Sequence, residues 1–241
     1  MLKLSLAISF LKHWSKAKTR HGIHSPFVYR LLDEVIYDFR AKKVYQEIEQ
    51  LRGGSLQYKR QNSLVKNNSL MSQRLAQLVH RLVSDLMPGN IIELGASRGI
   101  TTAYLAKAVP EANIISFERY SEDLTITERN LQILNIHKVK LLSGNVDELL
   151  PKLLDGIPEL DVILIDGEHS KFSILNFFNR CLPKMSKRSI MVFMNIYQKE
   201  MKSAWEEIKS NPEVSVTIDL FWIGLVFVRR AQRKEDFKIR F

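Results

Sequence analysis

The fold is decided by residues 90–106, which read NIIELGASRGITTAYLA. The apolar pair Ile91 and Ile92 predicts a short strand, and a helical pattern begins near Gly99. A strand that stops at a glycine-containing turn and then feeds a helix is typical of a nucleotide-binding corner. Gly95 allows the sharp turn and leaves no Cβ in the way of a ligand. The amide-rich start of the helix would point at that ligand.

The spacing of this turn is Gly-x-x-x-Gly, and Ser97 stands where a dinucleotide fingerprint has its second glycine. The departure matters because a pyrophosphate needs its closest backbone approach at that position. The pattern Glu-x-Gly-x-x-x-Gly over residues 93–99 resembles motif I of the class I S-adenosylmethionine-dependent methyltransferases. Taken alone, it fits an ordinary tight strand-to-helix turn equally well.

Composition indicates one α/β domain with an N-terminal extension. The chain has 241 residues, of which 45% are hydrophobic, and this suffices for a sizeable core. Its one cysteine, Cys181, excludes an intramolecular disulfide and falls in an apolar helical stretch. The formal charge of +10 indicates attraction to an anion, which nucleic acid, a membrane surface or an acidic substrate could supply.

The N-terminal segment predicts an amphipathic helix over Met1 to Leu11. Its apolar run is too short to span a bilayer and lacks the features of a secretory signal, so we expect a cytoplasmic protein with no transmembrane segment. The helix could lie on the protein or on a membrane surface, and we favour the protein's own core. The basic stretch 12–20 predicts a solvated helix face.

A second N-terminal feature is the block His-Gly-Ile-His-Ser-Pro-Phe at residues 21–27. Ser25 and Pro26 predict a helix start, with an apolar face that recurs every four residues from Phe27 to Phe39. His21 and His24 have no third ligand nearby, so a zinc site is disfavoured. The block resembles an extension found before the methyltransferase core in a group of bacterial members, and this resemblance implies a cover over the active site.

The rest of the chain alternates between helices and strands, which is typical of a parallel sheet covered on both faces. Helices are predicted at 41–51, 69–87, 121–134, 147–154, 171–182 and 199–210, and strands after the first at 113–118, 139–142, 160–165, 189–193, 214–220 and 223–228. The last two strands predict an antiparallel hairpin. Five strands and a closing hairpin make seven, the strand count of a class I methyltransferase.

We therefore predict an α/β fold with a Rossmann-like seven-stranded methyltransferase sheet, mostly parallel with the last strand antiparallel. A helical extension occupies residues 1–68, and the methyltransferase domain occupies residues 69–241. The helix over 41–51 is expected to end at Gly53 and Gly54, residues 53–68 are predicted to be a polar and basic connection, and the boundary is expected within 53–69.

Glu118 ends the second predicted strand, 25 residues after Glu93. A carboxylate there can accept both ribose hydroxyls of an adenosine-containing cofactor, although a surface glutamate at a strand end is the plain alternative. The family resemblance implies that the cofactor turn consists of Glu93, Gly95, Ala96, Ser97 and Gly99, that Glu118 binds the ribose, and that Arg119 stacks near the adenine.

Two further strand ends carry polar residues. Asn145 and Val146 follow the third strand, where the family often contacts the adenine amino group, and a simple helix cap explains Asn145 equally well. Asp166 ends the buried fourth strand, at the edge where open α/β sheets bind ligands. The segment from Asp166 to Ser170 resembles the Asp-Gly-x-His stretch of small-molecule O-methyltransferases. The resemblance implies that Asp166 faces the cofactor sulfonium, while His169 is either a general base or a residue bonded to backbone.

The metal-dependent relatives place a further carboxylate at the end of the fifth strand, where this chain has Met194 followed by Asn195. A thioether is a soft ligand, and Mg²⁺ prefers hard oxygen donors. We therefore predict no metal site and cofactor binding that is independent of divalent metal.

The predicted function is S-adenosylmethionine-dependent methylation of a small molecule, through oxygen. The alternative is a methyltransferase fold kept as a binding or regulatory module, with nucleic acid as its partner. The chain shows no aromatic platform or known recognition module, which argues against nucleic acid. The sequence does not identify the methyl acceptor or the role of residues 1–60. It is compatible with a monomer and with a homo-oligomer.

Overall fold

The computed structural model describes residues 2–61, 70–167, 169–229 and 232–241. The chain divides into two compact units. The continuous unit is Asp38–Val146, and the two-segment unit combines Met1–Tyr37 with Asp147–Phe241. None of the helices within the described ranges is long and apolar enough to cross a membrane.

Helices and strands alternate along most of the described chain. The α-helices are α1 (Leu2–Lys16), α2 (Pro26–Leu31), α3 (Lys43–Gln61), α4 (Gln73–Leu86), α5 (Ile100–Ala108), α6 (Ser121–Ile133), α7 (Val146–Asp155), α8 (Lys171–Cys181) and α9 (Lys199–Ser210). The strands are β1 (Asn90–Leu94), β2 (Asn113–Glu118), β3 (Val139–Ser143), β4 (Leu160–Ile165), β5 (Met185–Met194), β6 (Val216–Asp219), β7 (Ile223–Phe227) and β8 (Glu235–Lys238).

In the continuous unit, β1, β2 and β3 lie side by side and parallel, with β2 in the middle. Leu94 pairs with Phe117, and Glu118 pairs with Ser143, so the carboxyl ends of the three strands meet at one edge. This edge is where a parallel sheet presents loops to a ligand.

In the two-segment unit, β4 and β5 are parallel, and β7 runs antiparallel to both β5 and β6. The predicted α/β class, the mostly parallel sheet and the closing hairpin are confirmed. The strand count was wrong, because eight strands are described instead of seven. The additional strand, β8, pairs in parallel with β6, and backbone bonds such as Glu235 N–H to the Ser215 carbonyl (2.8 Å) hold it there.

The N-terminal segment differs from prediction in three places. Helix α1 extends to Lys16, and its apolar residues Leu4, Ile8 and Leu11 are exposed, so our preference for burial in the protein's own core was wrong. The helix that begins at Pro26 passes into a π-helical turn at Leu32–Ile36 and does not reach Phe39. Ser25 precedes this helix but makes no capping hydrogen bond; its hydroxyl instead accepts one from Gln232 Nε2 at 3.2 Å.

Helix α3 continues through Gly53 and Gly54, where a stop was predicted. A glycine in a helix interior costs about 1 kcal/mol relative to alanine, and tertiary contacts offset that cost. Arg52 Nη1 donates to the Met71 carbonyl at 2.6 Å, and Tyr104 of α5 donates to Glu49 at 2.8 Å. Of the predicted connection over 53–68, residues 53–61 are helical, so that part of the prediction was wrong. Residues 62–68 and the boundary between 68 and 69 lie outside the described residues, so the division into an extension and a domain stays a prediction.

Candidate functional site

The turn after β1 is built by backbone geometry. Gly95 has φ 104°, a left-handed conformation that favours glycine. The N–H groups of Gly95 and Ala96 both donate to the Phe117 carbonyl, at 3.0 and 3.1 Å. This pairing extends the contact between β1 and β2 into the turn and uses both N–H groups. A ligand could therefore pack against the turn where Gly95 has no Cβ, but it could not accept hydrogen bonds from these two N–H groups.

The next three residues, Ser97, Arg98 and Gly99, all have positive φ values, of 48°, 56° and 77°. The first two are not glycine, and a left-handed conformation costs such residues about 1–2 kcal/mol each. Arg98 is buried, its Nε donates to Asp123 Oδ1 at 2.8 Å, and its carbonyl accepts from Asn130 Nδ2 at 2.9 Å. Helix α6 therefore holds the strained turn in place.

Gly99 has a second constraint. A Cβ built there would lie 3.2 Å from Cα, Cγ2 and the carbonyl of Thr127. The glycine is thus explained by the close approach of α6, and its assignment to the cofactor turn stays a prediction.

Glu93 lies beneath this turn and is completely buried. Its Oε2 accepts hydrogen bonds from Thr102 Oγ1 and Ser116 Oγ, both at 2.6 Å. The carboxylate thereby ties β1 to α5 and β2, which makes it a positioning residue for the corner. The two hydroxyl partners were missed in the sequence because single Thr and Ser residues in apolar elements carry no distinctive pattern.

Glu118 ends β2 and is 4% exposed. Its Oε1 accepts from the N–H groups of Arg119 (2.8 Å) and Tyr120 (3.4 Å). No donor among the described residues reaches Oε2. Burial raises the pKa of this carboxyl, and nearby Asp123 adds to the effect despite the two backbone N–H groups. A buried carboxylate with one open oxygen is suited to accept ribose hydroxyls.

The edge of the continuous unit brings several predicted residues together. The turn from Gly95 to Gly99, Glu118 and Asn145 follow the carboxyl ends of three adjacent parallel strands. Arg119 and Asn145 are exposed, and Val146 is the first residue of α7. The predicted cofactor residues of this unit therefore share one edge.

Asp166 follows β4 in the two-segment unit and is buried. Its Oδ1 accepts from the N–H of Gly167 at 2.8 Å. His169 Nε2 lies 3.1 Å from the Asp166 carbonyl, and because a carbonyl can only accept, Nε2 must carry the proton. In the neutral ring the lone pair is then on Nδ1, so both predictions for His169, a backbone-bonded residue and a base, are compatible with its place.

A cleft of about 840 Å³ opens beside this segment. Its walls come from α1, the loop after β4, the end of β5 and α9. Leu6, Met194 and Met201 provide apolar surface, and His169 and Asn195 provide polar groups. The block 21–27 does not line this cleft; Phe27 instead packs edge-on against Phe227, with ring centroids 5.0 Å apart.

Met194, which we predicted to replace a metal-binding carboxylate, is buried at the wall of the cleft. Asn195 follows in a left-handed conformation (φ 58°), and its N–H donates to the Trp222 carbonyl at 2.6 Å. Within the residues that the structure describes, no three His, Cys, Asp or Glu side chains come close enough to hold a metal ion. Metal independence stays a prediction.

Tyr197 also lines the cleft, and it belongs to a buried group that the sequence did not reveal. Its hydroxyl donates to Asp219 Oδ2 at 2.8 Å, and His13 Nε2 lies 3.1 Å from Asp219 Oδ1. Burial pushes the pKa of Asp219 up, but hydrogen bonds from His13, the Phe221 N–H and Tyr197 outweigh it and leave the pKa below its usual value. Burial, and then the charge of Asp219, raise the pKa of the Tyr197 phenol, so it stays neutral at physiological pH.

Residues 92–196 match the model of a family described as a methyltransferase domain. This stretch is similar to a methyltransferase domain. It begins within β1 and ends just after β5, so it contains the turn, Glu118, Asn145, Asp166 and His169. The resemblance to class I methyltransferases that residues 93–99 predicted is confirmed.

Two curated relatives match parts of the chain. A transmembrane O-methyltransferase homolog from Rattus norvegicus is 29% identical over 80 residues, which are 32% of this chain and 31% of that protein. A catechol O-methyltransferase from Niastella koreensis is 26% identical over 114 residues, which are 46% of this chain and 48% of that protein. The chain therefore spans less than half the length of these relatives.

A solved structure gives the fold around the methyltransferase domain. The O-methyltransferase from Bacillus cereus, in complex with SAH, superposes with a TM-score of 0.61 at 17% identity, over 79% of this chain and 93% of that one. The predicted Rossmann-like methyltransferase fold is thus confirmed.

Proposed function

We propose that this chain is an S-adenosylmethionine-dependent O-methyltransferase that acts on a small molecule. The observation that carries the proposal is Glu118, a buried carboxylate with one open oxygen at the same sheet edge as the left-handed turn. The matched family, the catechol O-methyltransferase relative and the SAH-bound structural neighbour support it.

The residues of the continuous unit fit an adenosine-containing cofactor. Glu118 would accept the ribose hydroxyls, and the amide of Asn145 can both accept from and donate to an adenine edge. Val146 and the exposed Arg119 would flank the ring, and Ala96 and Ser97 would shape the turn beneath it. When bound, S-adenosylmethionine supplies the electrophilic methyl group.

The cleft of the two-segment unit fits a small acceptor with an apolar ring and a hydroxyl group. Leu6 and Met201 would contact the ring, and the Tyr197 oxygen, whose proton is held by Asp219, keeps lone pairs that can accept from the hydroxyl. His169, with its lone pair on Nδ1, is the proposed base that takes the hydroxyl proton. We also propose a catalytic role for Asp166, metal-independent turnover and a cytoplasmic location.

The test is to measure SAH and S-adenosylmethionine binding by calorimetry, then methyl transfer from labelled S-adenosylmethionine to a panel of phenols and catechols. Binding of both nucleosides with transfer to at least one phenol is the expected result. His169→Gln should lower turnover while SAH affinity is kept. If neither nucleoside binds at millimolar concentration, the proposed function is wrong.

A second candidate function is a module that binds the cofactor without turnover. Met194 favours it, because this residue lines the cleft at the predicted position of a metal ligand and offers only a soft thioether. Tight SAH binding with no transfer to any acceptor, with or without added Mg²⁺, would select this candidate.

A further inference from the structure

Helix α1 presents an apolar face to solvent. Leu4, Ile8 and Leu11 follow the i, i+4, i+7 spacing of one helix face, and their exposed fractions are 68%, 45% and 67%. Trp14 and Phe10 lie on the adjoining side of the helix, at 43% and 36% exposed, and Phe10 packs against Phe221. These five residues are called the α1 apolar face below. Scattered exposed apolar side chains are common, but five on one 15-residue helix are a concentration of apolar surface.

The opposite side of α1 is fixed to the protein. His13 is buried and contacts Asp219 through Nε2, and the half-buried Leu6 and Ser9 lie at the cleft. The helix therefore cannot rotate to bury its apolar face without losing the contact between His13 and Asp219.

The patch extends beyond the helix to an exposed tryptophan. The ring of Phe10 lies 5.0 Å from that of Phe221, which in turn lies 4.8 Å from the ring of Trp222. Trp222 is 39% exposed. Tryptophan is enriched where a protein surface meets the polar boundary of a membrane.

The sequence that contains the patch is rich in positive charge. The first 32 residues contain six Lys or Arg and no Asp or Glu. Lys12 and Lys16 are exposed on α1, and within the described part of the chain they form no ion pair. Lys18 pairs through its backbone with the segment of Lys238 and Arg240, and the Arg240 guanidinium lies 5.2 Å from the Trp14 ring centroid.

We propose that α1 binds an anionic lipid surface, with the α1 apolar face inserted at the headgroup boundary and the adjacent lysines on the lipid phosphates. An amphipathic helix that combines an apolar stripe with basic residues binds membranes in this way. A second copy of the chain is a poorer occupant, because a symmetric dimer through this face would bring the same lysines towards one another.

The experiment is flotation of the full chain with vesicles of phosphatidylcholine mixed with phosphatidylglycerol, compared with vesicles of phosphatidylcholine alone. We expect binding to the anionic vesicles that weakens as salt is raised, together with a blue shift of tryptophan fluorescence. Leu4→Gln/Leu11→Gln should weaken binding by at least about tenfold. Lys12→Gln/Lys16→Gln should weaken it by about twenty-five-fold, since each lysine near such a surface contributes about fivefold.

The matched control is Ile133→Gln/Lys140→Gln, which changes one exposed apolar and one exposed basic residue of the other unit. It should bind vesicles like the unchanged chain. Absence of vesicle binding, equal binding to neutral vesicles, or equal loss in the control would overturn the proposal. So would a dimer, seen by sedimentation velocity, that Leu4→Gln/Leu11→Gln abolishes. Thermal melts of all variants identify any loss of folding, and the lysine variant tests the proposal even if the leucine variant unfolds.

Discussion

The Tyr197 hydroxyl donates to Asp219 Oδ2 at 2.8 Å, at the wall of the cleft that we assign to the methyl acceptor. His13 of α1 contacts the other oxygen of the same carboxylate. A helix near the N-terminus thus helps to orient a side chain that faces the proposed acceptor. Because His13 contacts Oδ1 of Asp219, the carboxylate is held in place, and the hydrogen bond from Tyr197 to Oδ2 fixes the orientation of the phenol ring.

We predict that Tyr197→Phe raises the KM for the acceptor several-fold and leaves SAH affinity unchanged. The variant should also lower the free energy of unfolding by about 1 kcal/mol, the usual cost of one lost hydrogen bond. Tyr37→Phe is the matched control, since Tyr37 donates to the Arg240 carbonyl at 2.8 Å in the same unit but does not line the cleft. Equal acceptor kinetics in both variants, measured by initial rates, would refute a role for Tyr197 at the acceptor.

The site could be predicted only where one local stretch contains the signal. Gly95 and Asp166 each follow a short apolar strand and Glu118 ends one, and the carboxyl end of a parallel strand is the usual place for a ligand-binding residue. The group of His13, Tyr197 and Asp219 could not be predicted, because His13 and Asp219 are 206 positions apart. A histidine, a tyrosine and an aspartate in three separate elements carry no pattern until the fold brings them together.

Glu118→Gln should make the unliganded protein more stable at neutral pH while it weakens SAH binding. The folded-state pKa of Glu118 is raised, so the ionised form is the disfavoured one. This penalty is fully present above the folded pKa and disappears as the pH falls below the ordinary value of 4.5. The melting temperature of Glu118→Gln should therefore exceed that of the unchanged chain at pH 7, and the difference should disappear below about pH 4.5.

Glu128→Gln, an exposed change on α6, is the control for Glu118→Gln. It should leave both the melting temperature and SAH affinity unchanged. A variant Glu118→Gln that melts lower than the unchanged chain at pH 7 would contradict the assigned burial penalty.

The glycine at position 99 should resist substitution more strongly than the glycine at position 53. Gly99→Ala forces a left-handed alanine against Thr127 and should cost at least about 1 kcal/mol of unfolding free energy. Gly53→Ala meets nothing within 4 Å in the interior of α3 and should stabilise the protein by about 0.5–1 kcal/mol. Urea unfolding of both variants checks the difference, and equal effects would show that neither contact nor φ constrains Gly99.

Elements with a strong hydrophobic periodicity could be predicted from the sequence, whereas elements that depend on tertiary contacts could not. The strands at Asn113–Glu118 and Leu160–Ile165 and the helix Lys199–Ser210 lie where periodicity predicted them. Strand β8, with the sequence EDFK, lacks a run of β-branched residues and forms because β6 offers a free edge. Helix α3 continues through Gly53 and Gly54 for a similar reason. The hydrogen bonds of Glu49 and Arg52 outweigh the low helix propensity of the two glycines.

Chelation should leave the protein unaffected. Met194 offers only a soft thioether at the predicted position of a metal ligand, so EDTA is expected to change neither SAH affinity nor turnover. The measurement is calorimetry and initial rates with Mg²⁺ and with EDTA. A tenfold or greater loss on chelation would show that this interpretation of Met194 is wrong.

The central claim is that Glu118 binds the ribose of S-adenosylmethionine, and SAH titration by calorimetry tests it most directly. The unchanged chain should bind SAH with one site, and Glu118→Ala should weaken binding at least tenfold, since a hydrogen bond to a charged group contributes about 1.5–3 kcal/mol. Glu128→Ala should bind like the unchanged chain. Absence of SAH binding to the unchanged chain, or equal affinity in Glu118→Ala and Glu128→Ala, would contradict the claim.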